Sequence, residues 1–103
     1  MICNVQLVAQ KLGKRQFMVT LQKEDFRDRV FEPAALADAI EGWGTIYSTE
    51  RVKIGQSKDF ARLYVTTTDL SMNARYLYKQ VLAEQKVLEA KEALKRREEA
   101  SHV

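Results

Sequence analysis

A single cysteine, Cys3, means that no disulfide can close within the chain. That fits a reducing, cytoplasmic setting. With no histidine or cationic helix end near it in sequence, Cys3 reads as a small core residue rather than a nucleophile. The one histidine, His102, stands at the frayed end of the chain, where a ligand or general base has no fixed geometry. Glycines occur only at positions 13, 42, 44 and 55, which gives no phosphate-binding pattern. Carboxylates are scattered, with no spacing that pairs an acid with a base. No run approaches the ~18 apolar residues of a membrane span. The N-terminus alternates polar and apolar residues and lacks the apolar core of a signal peptide. No catalytic residue, metal site or cofactor is therefore expected.

A strong charge of one sign is missing as well. The net charge is +3, with ten basic and eight acidic side chains before residue 69 and seven and six after it. So slight and even an excess is a weak argument for nucleic acid. The chain is 46% hydrophobic and 30% charged over 103 residues, which fits a single domain, 1–103.

What is present in quantity is helix-forming sequence. From Asp69 on there is no Gly or Pro, and Ala, Leu, Glu, Lys, Gln and Arg dominate. The pattern predicts a long helix over 69–100, capped by Thr68, Asp69 or Ser71. Glu92–Arg96 and Lys86–Glu89 have ion-pair spacing, and Lys95, Arg96 and Arg97 suit the negative pole of the helix. At ~100° per residue the apolar side chains fall into two stripes roughly 130° apart. One holds Leu70, Ala74, Leu77, Val81 and Leu88; the other holds Met72, Tyr76, Ala83, Val87, Ala90 and Leu94. Packing on a small sheet uses only one of them. The helix would run roughly 47 Å, against a diameter of about 34 Å for a compact chain of this size, so its end should overhang the body 1–68. In heptads the second stripe reads Tyr76, Gln80, Ala83, Val87, Ala90, Leu94, Arg97, an Ala and Val/Leu alternation that admits another helix closely.

Ahead of the helix, Cys3, Val5, Leu7 and Ala9 alternate with Asn4, Gln6 and Gln10, and Phe17, Val19 and Leu21 alternate with Gln16, Met18, Thr20 and Gln22. These predict a β-hairpin turning at Leu12–Arg15, with Gly13 at positive φ. Residues 23–32 read as a loop or a short edge strand. Pro33 opens a short helix whose buried side is Ala35, Leu36, Ala39 and Ile40, with Gly42 as a left-handed cap. Residues 45–54 predict a strand, 55–59 a loop, and Ala61, Leu63, Val65 and Thr67 a fourth strand. The order β-β-α-β-β-α implies an α+β fold: a small antiparallel sheet of two hairpins, one short helix and one long C-terminal helix.

Two functions follow as expectations. The first is a non-enzymatic interaction module that binds a protein partner or a second copy through Tyr76, Ala83, Val87, Ala90 and Leu94. Adaptors and inhibitors of larger assemblies, phage-encoded ones among them, are small proteins of this general class. The alternative is a nucleic-acid-binding protein using Arg51, Lys53, Lys58, Arg62, Tyr47 and Tyr64 on one face of the second hairpin, extended by Lys11, Lys14 and Arg15.

Overall fold

The computed structural model describes residues 2–101; His102 lies outside them. Strands β1 (Cys3–Lys11) and β2 (Lys14–Gln22) form a hairpin around Leu12 and Gly13, at φ 53° and 76°. A two-residue turn with both φ values positive matches the twist of the flanking strands. Two such residues suffice to reverse the chain, so Lys14 and Arg15 belong to β2 rather than to the turn. Strand β3 (Lys53–Gln56) pairs with β4 (Phe60–Thr67), and β4 pairs with β2. The sheet is antiparallel throughout, in the order β1-β2-β4-β3. Phe17, Val19 and Leu21 face the core beside Ala61, Leu63 and Val65. Their alternate neighbours line the opposite side of the sheet.

Strand β1 departs from simple alternation. Its pairing passes from Leu7↔Phe17 to Ala9↔Gln16, which leaves Val8 as a bulge. A bulge shifts the following side chains to the other face. Ala9 is therefore exposed rather than core, and Leu7, on this outer strand, is 45% exposed.

Residues after β2 form one helical turn, α1 (Lys23–Phe26), with the Lys23 amide donating to the Asp59 carbonyl at 3.0 Å. Helix α2 (Pro33–Glu41) has Pro at its first turn and buries Leu36, Ala37 and Ile40; Ala35 and Ala39 are only half-buried. Gly42 is not left-handed: its φ is −61°, because the chain runs on through Trp43 into a further helical turn, α3 (Gly44–Tyr47). The left-handed stop comes at Ser48, φ 53°.

The expected strand over 45–54 is thus replaced by α3, an isolated bridge at Thr49 and the four residues of β3. Packing overrides β propensity here. The Trp43 carbonyl accepts from the Ile46 and Tyr47 amides at 2.8 Å, and the Thr67 hydroxyl donates to the Tyr47 carbonyl at 2.7 Å.

The long helix, α4, spans Ala74–Ser101, 28 residues. It starts five residues later than the composition suggests. Thr67 Oγ1 accepts from the Asp69 amide, and Asp69 Oδ1 accepts from the Ser71 amide, both at 3.0 Å. Such local turns compete with the first turn of a helix. Arg15 then holds the Met72 carbonyl at 2.9 Å, with Met72 buried ahead of the helix. The cap is Asn73, whose Oδ1 accepts from the Tyr76 amide at 2.8 Å. Leu70, placed by pattern on the core side, is instead 47% exposed in this loop.

Helices α2 and α4 close over one side of the sheet. The chain measures 56 × 28 × 20 Å, its length set by α4, which at ~1.5 Å per residue is roughly 42 Å long.

Candidate functional site

Helix α4 carries two unlike faces. Leu77, Val81 and Gln85 are fully buried against the body, and Ala74 and Leu88 are half-buried on the same side. Gln85 lies one turn beyond Val81 and continues that line, so its place in the core is a position effect. Its Nε2 donates to the Val30 carbonyl at 2.6 Å. On either side of it, Glu89 receives Arg29 through two bonds of 2.8 and 2.9 Å, and Glu84 Oε1 receives the Trp43 indole N–H at 3.1 Å. The guanidinium holds the Glu89 carboxyl below the usual carboxylate range. Glu89 thus turns to Arg29 and not to Lys86, while the expected Glu92–Arg96 pair forms at 3.4 Å. These contacts fix the rotation of α4 about its axis.

That rotation decides which side faces out. Ala83, Val87, Ala90 and Leu94 are all exposed, Val87 at 46% and Leu94 at 57%. By helix geometry they centre about 150° from the buried line. They form one apolar strip over three turns. From Ala93 through Glu98 every residue is exposed. Glu84, half-buried, and Lys91, exposed, flank the strip on one side; Lys79 and Lys86 flank it on the other. Tyr76 does not join them. Its hydroxyl is hydrogen-bonded to that of Tyr47, and the two rings meet edge to face at 5.9 Å. The strip therefore begins at Ala83.

The basic set on the second hairpin is only partly assembled. Lys53 and Tyr64 are register partners, and Arg62 stands on the same face with its guanidinium 5.0 Å from the centre of the Phe60 ring. Lys58 lies in the β3–β4 turn and Arg51 ahead of β3, both exposed. Tyr47 is elsewhere, in α3 between Trp43 and Tyr76. Of the hairpin-tip residues, Lys14 is paired with Glu50 and Arg15 is spent on the Met72 carbonyl. The face keeps Lys53, Arg62 and Tyr64 together and loses Tyr47, with Phe60 beside Arg62 as its other aromatic.

No family model, curated protein or solved structure matches the chain. Among the described residues no three His, Cys, Asp or Glu side chains come together as a metal site, and no helix is long and apolar enough to cross a membrane.

Cys3 is a buried free thiol, and burial pushes its pKa up to about 11. Alkylation follows the thiolate. At pH 8 the thiolate fraction is about two orders of magnitude below that of an ordinary thiol of pKa ~8.5. Iodoacetamide is accordingly expected to label Cys3 at least a hundredfold more slowly than free cysteine, on the order of that ratio. Comparable labelling rates in a timed mass-spectrometric assay would show that the β1 end opens freely.

Proposed function

We propose that this chain is a protein–protein interaction module that presents the outer face of α4 to a helix of another chain. The observation that carries the reading is the exposure of Ala83, Val87, Ala90 and Leu94 as a continuous strip, on a helix whose opposite side is locked to the body through Gln85, Glu84 and Glu89. A locked helix offers its strip without ordering it at the moment of binding, which removes part of the entropic cost of association. Alanines let the second backbone come close, and Val87 and Leu94 supply the knobs. Docking in this way brings the sheet body to a partner, which is the work of an adaptor or an inhibitor. A cytoplasmic setting suits a buried reduced thiol.

The test is site-specific photo-crosslinking in cells that express the chain. A benzophenone side chain at position 90 should give discrete adducts whose linked peptide maps to a helix. The same group at position 64, on the outer sheet face, should give none. Adducts at position 64 and none at 90 would overturn the reading, and nucleic acid in those adducts would move the function to the Lys53, Arg62 and Tyr64 face.

A further inference from the structure

We infer that the helix α4 receives is the α4 of a second copy, laid antiparallel, so that the chain is a weak two-fold dimer. The inference rests on the helix-pairing reading above and names its partner.

Heptad positions along the strip put Val87 and Leu94 in one class and Ala83 and Ala90 in the other. In an antiparallel pair the two classes face each other across every layer. Centred between Leu88 and Glu89, such a pair sets Val87 against Ala90 of the second copy and Ala83 against its Leu94. Each large side chain then meets a small one, four layers deep. The next layer outward sets Gln80 against Arg97 of the second copy, a polar end that suits a strip beginning at Ala83. A parallel pair would instead stack Ala on Ala and Leu on Leu, leaving the alanine layers underfilled and the leucine layer crowded.

The flanking charges select the same arrangement. In the antiparallel register Glu84 lies beside Lys91 of the second copy, and the two-fold axis makes this pair twice. On the other flank Lys86 meets Ala93, so no like charges are opposed. In the parallel arrangement Lys86 would face Lys91, a repelling pair made twice that cancels the Lys79–Glu84 attraction made twice there, so only the antiparallel pair keeps a net gain. The carboxylate of Glu84 takes the Trp43 N–H on Oε1 alone, which leaves Oε2 as an acceptor. Antiparallel placement also sets the positive start of each helix beside the negative end of the other.

The contact is small. From Ala83 to Leu94 it runs roughly 17 Å at ~1.5 Å per residue. At a helix width of about 10 Å such a strip covers on the order of a few hundred Å² on each copy, short of the ~1,200 Å² of total buried surface at the low end of stable complexes. Dimerisation is therefore expected at concentrations on the order of 100 μM, as for a weak or transient interface. Because each face is its own complement, the assembly closes at two chains and does not polymerise.

The experiment is sedimentation equilibrium of the full chain from about 5 μM to 1 mM, a range that brackets a weak interface, with two charge variants. The wild type is expected to pass from monomer to dimer across the range. Lys91→Glu alone should weaken dimerisation about tenfold or more, since it opposes two like-charge pairs. Glu84→Lys alone should do the same. An equimolar mixture of the two variants should recover dimers as a heterodimer with both pairs restored. Lys91→Glu that strengthens the dimer would overturn the antiparallel arrangement, because only in the parallel one does it relieve the Lys86 contact. A wild type that stays monomeric at 1 mM would overturn self-pairing altogether, whereas adducts at position 90 with a different protein would still stand. Loss of both results would remove the helix-pairing reading itself.

Discussion

Leu77→Asp is expected to abolish cooperative folding at 25 °C, whereas Leu94→Asp on the same helix leaves the melting temperature within a few degrees of the wild type. The chemistry is identical, and only the face differs. Leu77 is fully buried, in the line it shares with Val81 and Gln85. Removing a buried leucine costs about 2–5 kcal/mol. An unpaired carboxylate in its place adds several kcal/mol, or forces the group to take up a proton. Together these reach the total stability of a small domain, about 5–15 kcal/mol. Leu94 is 57% exposed. A substitution there is worth within about 0.5 kcal/mol, with a few tenths against it for an acid in the C-terminal half of a helix. Far-UV circular dichroism melts at about 5 μM, well under the dimerisation range expected for so small an interface, provide the comparison. A sloping, transition-free trace for Leu77→Asp beside a sharp one for Leu94→Asp is the expected pair. Loss of the transition in both would mean that the outer strip is part of the folding core, as in an obligate dimer.

Much of this division is legible in the sequence, for a specific reason. Period-3.6 patterning over 28 residues gives many chances to assign a face, so Leu77, Val81 and Leu88 separate from Ala83, Val87, Ala90 and Leu94 without coordinates. The same holds for β2 and β4, where alternation runs unbroken through Phe17, Val19, Leu21 and Ala61, Leu63, Val65. The failures fall where two or three residues decide. Thr45 to Tyr47 favour a strand by composition, yet the Tyr47 ring is held between Trp43, one helical turn before it, and Tyr76, 29 residues after it across the β3–β4 hairpin. Tyr47 therefore leaves the basic hairpin face, and Tyr76 leaves the helix strip, through one contact between them. Composition likewise favours helix from Asp69, but Thr67 and Asp69 satisfy their neighbours' amides locally and defer the start to Asn73. The bulge at Val8 does leave a mark, since Val8 interrupts the polar side of the alternating strand, but one apolar residue there does not by itself tell an inserted residue from a stray exposed one.

The segment 23–32 is the least legible and has the most to lose, and Phe26→Ala is expected to lower stability by about 3–5 kcal/mol, the range for truncating a buried phenylalanine. Its ring is fully buried and meets Phe31 edge to face at 4.9 Å. The segment reads as charged loop because Lys23, Glu24, Asp25, Arg27, Asp28 and Arg29 surround Phe26. Phe26 nonetheless positions everything after it. The Arg29 amide donates back to the Phe26 carbonyl at 2.9 Å, Arg29 then reaches Glu89, and the Val30 carbonyl takes Gln85. Truncation thus leaves a cavity and loosens two of the contacts that fix the rotation of α4. For a domain of this size about 1 kcal/mol corresponds to 4–8 °C, so the melting temperature should fall by at least about 12 °C. Phe26→Leu keeps most of the volume and should lose no more than about 1.5 kcal/mol. Phe31→Ala, at a half-buried position, should fall between them. A Phe26→Ala loss no larger than that of Phe31→Ala, measured by urea titration at constant m-value, would show that the segment is a passive cover and that α4 holds its orientation without it.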